Sequence, residues 1–190
     1  MENQHYLSYY MEFDNKYTGN LNKYGGLPTH LPTQWPIVDK YGDEMTFICQ
    51  LYCDYKILSI PNTLCIQVYQ LIMNGVEASS PIIVQVPIGA KENVNKIGLC
   101  SENLPEGDIN FKEVEEEIPP NFDEFIDQNG IYLLSSKLGG YCPIEEVKQD
   151  VFLGTIHDGE GGIYSPFSWG SGYSLVVYLN EDNQVIGEMI

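Results

Sequence analysis

The chain has 190 residues, 43% of them apolar and 12% aromatic, and it sets 27 acidic side chains against 9 basic ones for a net charge of −18. That length lets one domain bury about 70% of its unfolded surface without disulfides or metals, and fourteen tyrosines exclude the aromatic-poor make-up of a disordered chain. Every basic residue is a lysine, so a polyanion meets repulsion and no guanidinium fork, which argues against nucleic acid and anionic membrane and leaves solubility or a basic protein partner as reasons for the acidity.

The first residues, MENQHYLSYYMEFDNKY, lack the basic-then-apolar layout of a signal peptide, and no run reaches the roughly 18 apolar residues of a membrane span. A cytoplasmic protein is the expectation, with Cys49, Cys53, Cys65, Cys100 and Cys142 kept as reduced thiols. Next comes KYGGLPTHLPTQWPIVDKYGDEMTFICQL, Lys23 to Leu51, where two glycines and three prolines precede an alternating run. Met45 to Cys53 places Met45, Phe47, Cys49, Leu51 and Cys53 on one side, which predicts a strand with one apolar face. Leu64 to Met73 and Pro81 to Pro87 read as two more strands, the latter at an edge or ending at a turn because of its flanking prolines.

From Lys91 to Pro120 the pattern weakens, and Glu113 to Asp127 then holds seven acids with no base. Its second part predicts a short helix over Asn121 to Asn129, capped by Asn121 with Asp123 and Glu124 in the first turn, and Pro143 to Lys148 predicts a second. IYLLSS and VFLGTI follow, and YSLVVYL and QVIGEMI form a hairpin across Asn180 to Asn183. The expectation is a single, mainly β domain of antiparallel sheets, roll-like, with one or two short helices. KYGGLP at Lys23 to Pro28 recurs as KLGGYCP at Lys137 to Pro143, each before an apolar strand, which raises an internal duplication with halves 1–100 and 130–190.

Gly25-Gly26-Leu27-Pro28, Leu31-Pro32, Trp35-Pro36, Gly42, Met45, Phe47 and Gln50-Leu51 together resemble the N-terminal signature of the YwqG-like family, bacterial proteins of unknown function. Gly139-Gly140-Tyr141 and Trp169-Gly170-Ser171-Gly172 are similar to two later family motifs. Glu44 stands where the family has proline, and Ser171 where it has aspartate. The resemblance implies a mainly β, roll-like fold with internal duplication. Because some relatives lie beside secreted toxin genes, it also raises neutralisation of a toxin.

No metal-ligand spacing links His5, His30 and His157 to each other or to cysteine, and Cys49 and Cys53, four apart on a strand, lie about 13 Å apart, too far for one zinc. No cofactor motif is present. Cys142 with His157 and Asp158 can be drawn as nucleophile, base and orienter, which keeps a hydrolase as a minor reading. Trp35, Trp169 and Ser171 are candidates for a small-molecule or carbohydrate site, the tryptophans otherwise plugging the ends of a roll. Glu113, Glu115, Glu116, Glu117, Asp123, Glu124 and Asp127 are candidates for contact with a basic protein, or else form a solvated loop and an amphipathic helix. The leading expectation is a non-enzymatic binding protein, in its sharpest form an immunity protein for a basic toxin.

Overall fold

In the computed structural model, residues 3–38, 42–73, 76–95, 104–118, 135–142, 144, 147–149, 151–158, 166–167, 169 and 173–190 are described, and none of them is helical. The strands are β1 (Gln4–Asp14), β2 (Lys23–Tyr24), β3 (Ile37–Val38), β4 (Asp43–Glu44), β5 (Thr46–Tyr52), β6 (Thr63–Gln70) and β7 (Ile72–Met73). They continue with β8 (Val76–Glu77), β9 (Ile82–Pro87), β10 (Gly107–Ile118), β11 (Lys137–Gly139), β12 (Phe152–His157), β13 (Ser174–Leu179) and β14 (Val185–Met189). Ten of them form one antiparallel sheet in the order β14-β13-β12-β11-β1-β10-β2-β5-β6-β9, and β3-β4 and β7-β8 are small hairpins. Alternate residues of β6 face the core, whereas in β5 a register shift after Phe47 breaks the period, placing Phe47 in an outer cluster and Cys49 and Leu51 in the core.

The order reads alike from either end about the β1–β10 pair. In chain order β1, β2, β5, β6, β9 and then β10, β11, β12, β13, β14 occupy matching places, except that β1 and β10 each pair with the other set. The register carries the match down to residues. Lys23 faces Gln50 and Tyr24 faces Cys49, as Lys137 faces Thr155 and Leu138 faces Gly154. Met11 N–H donates to Ser136 O at 2.9 Å, and its counterpart Ile109 donates to Asn22 O at 2.9 Å. Both β5 and β12 shift register in the same place, after Phe47 and after Phe152. The second set therefore opens at Gly107, ahead of the acidic stretch.

The two end strands, β9 and β14, meet without a backbone ladder. Gln85 bridges them instead, its Oε1 accepting from Val185 N–H at 3.0 Å, and Ile83 packs where a side chain on Gly187 would stand. The sheet is thereby nearly closed around one main core of Tyr9, Leu51, Ile66, Ile109, Ile156 and Leu175, among others. Two smaller clusters cover its outer face at matching places, Phe47 with Tyr69 and Phe152 beside Tyr178.

Cys49, Cys53, Cys65 and Cys142 carry no disulfide. Cys65 is wholly buried, and burial, with a smaller push from Cys53, raises its thiol from the ordinary 9.0 to about 12. The folded state thus keeps a proton that the unfolded chain releases above pH 9, so stability holds below that pH and falls above it by about 1.4 kcal/mol per unit from this thiol. Urea unfolding midpoints between pH 8 and pH 11 are expected to decline more steeply in wild type than in Cys65→Ala; parallel declines would exclude Cys65 as a source.

Two expectations need correction. Glu113 to Glu117 is neither loop nor helix but part of β10, whose partner β1 matches it over eleven residue pairs from Gln4↔Ile118 to Asp14↔Asp108. Acids on both sides of β10 hide its alternation, and long-range pairing with β1 overrides the weak local pattern. At Pro143 to Lys148 the described residues make only a turn, Val147 N–H donating to Ile144 O at 3.2 Å. Gln149 bonds back to the preceding bend, at Cys142 N–H and Gly140 O. Asn121 to Asn129 lies outside the described residues.

Candidate binding pocket at the first glycine bend

β2 inserts Lys23 and Tyr24 between β10 and β5, after which Gly25 and Gly26, both at φ +62°, turn the chain out of the sheet. Gly25 passes so close to Pro105 that an added Cβ would stand 1.9 Å from its carbonyl oxygen. A Cβ on Gly26 would stand 2.6 Å from Glu106 Cδ, so the bare backbone is what lets the Glu106 carboxylate lie here. That carboxylate forms an ion pair with Lys23, whose side chain is buried while Glu106 remains a third exposed. The Lys23 ammonium also sits 4.7 Å from the Tyr17 ring centroid.

Buried Gln50 holds the exit of the bend, accepting from Thr29 N–H at 2.9 Å and donating to Leu21 O and Thr29 Oγ1, both at 2.6 Å. Residues 91–94 build the facing wall: Asn93 N–H donates to Thr29 O at 2.8 Å and Leu31 N–H to Lys91 O at 2.9 Å. Between these walls opens a cavity of about 530 Å³, lined by Tyr17, Lys23, Leu27, Thr29, Glu92 and Glu106 among others. Its size is typical of a ligand site. Among the described lining residues the charge balance is negative, with Glu92 and Glu106 against Lys23, and Asp108 close by and bonded to Thr18. The Tyr17 phenol responds accordingly, held above its ordinary pKa first by burial and then by the charges of Glu106 and Asp108.

The second glycine bend has the same frame and a closed interior. Gly139 and Gly140 take φ +65° and +80°, and a Cβ on Gly140 would stand 2.6 Å from Glu116 Oε2. Lys137 donates to Glu116 Oε1 at 2.6 Å and to Tyr141 O at 3.2 Å, and Tyr141 N–H donates to Glu116 Oε2 at 2.8 Å. Gln149 plays the part of Gln50, accepting from Cys142 N–H and donating to Gly140 O, both at 2.7 Å. Side-chain exposure is 1% for Lys137 and 9% for Glu116, so this ion pair is shut off from solvent. The first bend lies where β10 begins, the second where β1 begins and β10 ends, so they sit at opposite ends of the β1–β10 pair and do not share a site.

The residues expected from sequence are dispersed. Trp35 lies over the outer face, edge-on to Tyr69 at 5.3 Å, with its indole donating to Met45 O at 3.0 Å. Trp35→Ala is expected to cost about 3 kcal/mol in chemical denaturation, and a loss under about 1 kcal/mol would mean that the ring contributes little packing. Trp169 is in the main core, stacked on Phe167 at 5.5 Å with its indole bonded to Ile156 O at 2.9 Å, and its edge reaches a second cavity of about 410 Å³ beside Tyr173 and Met189. Ser171, Asp123, Glu124 and Asp127 lie outside the described residues.

Of the acids on β10, Glu113 pairs with Lys56 and Glu115 with His5 at 3.2 Å, and Glu117 accepts from Asn3, all at the surface. Glu116 is instead the buried partner of Lys137, so reversing its charge would disrupt the fold; a test of this face as an interface needs Glu115 and Glu117 alone. Cys142 donates to Ile144 O at 3.6 Å, and burial raises its thiol, the opposite of an activated nucleophile. His157 Nδ1 bonds Ser174 Oγ at 2.9 Å within the interior. Among the described residues no three potential ligands are grouped to hold a metal.

Tyr17, Lys23, Glu92 and Glu106 were missed. The one available signal was the repeated Lys-x-Gly-Gly, which marks where a lysine enters the sheet but not which acid meets it. No protein-family model matches the chain and no curated protein matches it, so the likeness of its three motif islands rests on those residues alone.

Proposed function

We propose that this chain is a non-enzymatic binding protein, that its site is the cavity at the first glycine bend, and that its partner is a basic protein. The observation that carries this reading is a cavity built where the glycine bend leaves β2, with two carboxylates, Glu92 and Glu106, against one buried, already paired lysine. A net charge of −18 supports it by steering a cationic partner toward the surface. Neutralisation of a basic toxin is the sharpest form of this role. A small-molecule or carbohydrate module is the second reading, favoured by the neutral polar groups of Thr29 and Asn93 in the same lining. We also read the two five-strand sets as the product of an internal duplication, in which one bend stayed open as a site and the other closed.

Affinity capture at low and at physiological salt tests the role. The expected result is one basic protein retained in stoichiometric amount, more strongly at low salt. Retention that ignores salt, or of acidic proteins only, would contradict it.

A further inference from the structure

We infer that the cavity at the first glycine bend takes a cationic nitrogen on an aliphatic stem, an arginine or lysine side chain of the partner. The inference rests on the binding role proposed above and names the chemistry of its site.

Two kinds of lining lead to this ligand. Leu27, Pro28, Val94 and Leu104 offer an apolar wall that suits methylene groups, and Glu92 and Glu106 offer acceptors for the charged head. Tyr17 adds an aromatic ring, and a cation already sits over it in the form of Lys23. An anionic ligand is disfavoured because, among the described residues, Lys23 is the only ammonium in the lining, and it is buried and committed to Glu106. The second bend supplies an internal comparison. There the cation over the glycines is Lys137, Glu116 is engaged by Lys137 and Tyr141, and this carboxylate is 9% exposed. At the first bend Glu106 meets Lys23 through Oε1 and stays a third exposed, and Glu92 is exposed on the facing wall. The first bend therefore keeps unused acceptor capacity toward the cavity.

The test is an NMR titration of the whole chain with N-acetyl-arginine amide and N-acetyl-lysine amide, with N-acetyl-glutamine amide as neutral control and maltose as the carbohydrate arm. Saturable shifts of the Leu27, Thr29 and Val94 amides with the cationic probes, and none with the neutral control, are expected. Glu92→Gln sits on an exposed residue and should fold; it is expected to weaken the cationic probes about tenfold, the effect of one charge-assisted contact. Binding unchanged by Glu92→Gln, or shifts caused by maltose and not by the cations, would overturn the inference. The binding role itself is read separately. A basic protein captured equally by wild type and Glu92→Gln, with silent probes, rejects this pocket and leaves the role standing, whereas silent probes with nothing captured reject both.

Discussion

Glu116→Gln is expected to lower the stability of the chain by about 3 kcal/mol near neutral pH, because it leaves the Lys137 ammonium buried without a counter-charge. Lys137 is 1% exposed, and burial already holds its pKa below the ordinary lysine value, with Glu116 opposing that drop. Removing Glu116 lowers it further. The folded variant then releases its proton at a lower pH than the unfolded chain, so unfolded molecules bind more protons and stability rises with pH. The deficit should therefore be largest near pH 7 and shrink until the pH reaches the folded pKa of Lys137 in wild type, itself below the ordinary lysine value, after which the two curves run parallel. Adding Lys137→Met should recover part of the loss, since the uncompensated charge is gone. At the open bend, Glu106→Gln should cost less, because Glu106 is a third exposed and water can replace its carboxylate. Urea denaturation of the four proteins at several pH values checks all of this. A loss of under 1 kcal/mol for Glu116→Gln would mean that the second bend is not sealed.

Gly25→Ala is expected to be the second large effect. A left-handed backbone costs an alanine about 1–2 kcal/mol. Here the new methyl would also stand 1.9 Å from a carbonyl oxygen of the backbone at Pro105, which cannot rotate away as a side chain could. Together these give about 3 kcal/mol or more. Gly42→Ala is the control: its φ is +72° and nothing lies within 4 Å, so only the conformational cost of about 1 kcal/mol applies. Equal losses for the two variants would show that Pro105 does not crowd the first bend.

Apolar runs made Thr46 to Tyr52, Ile82 to Pro87 and the closing hairpin across Asn180 to Asn183 legible as strands, and Asn183 takes the left-handed turn position at φ +58°. The single apolar side expected of Met45 to Cys53 is split, because the register shift after Phe47 leaves Met45 and Phe47 in the outer cluster and Cys49 and Leu51 in the main core, both faces of β5 being covered. β1 and β10 stayed hidden because tyrosine, serine and glutamate fill their faces, and each is a strand only because the other pairs with it along its whole length. The twin Lys-x-Gly-Gly bends were legible as a repeated motif, and they do fall at matching places in the sheet. Their difference was not. It depends on Glu106 and Glu116, which lie 83 and 21 residues from their lysines and occupy non-matching positions, so no local pattern tells an open bend from a closed one.

Both bends are read in one experiment, an amide shift map of the wild-type chain with N-acetyl-arginine amide. Saturable shifts are expected at Leu27, Thr29 and Val94 and none at Gly140, Tyr141 or Cys142. Shifts confined to the second bend, or to the Glu115 and Glu117 segment of β10 with the first bend silent, would rule out the first bend as the cation site.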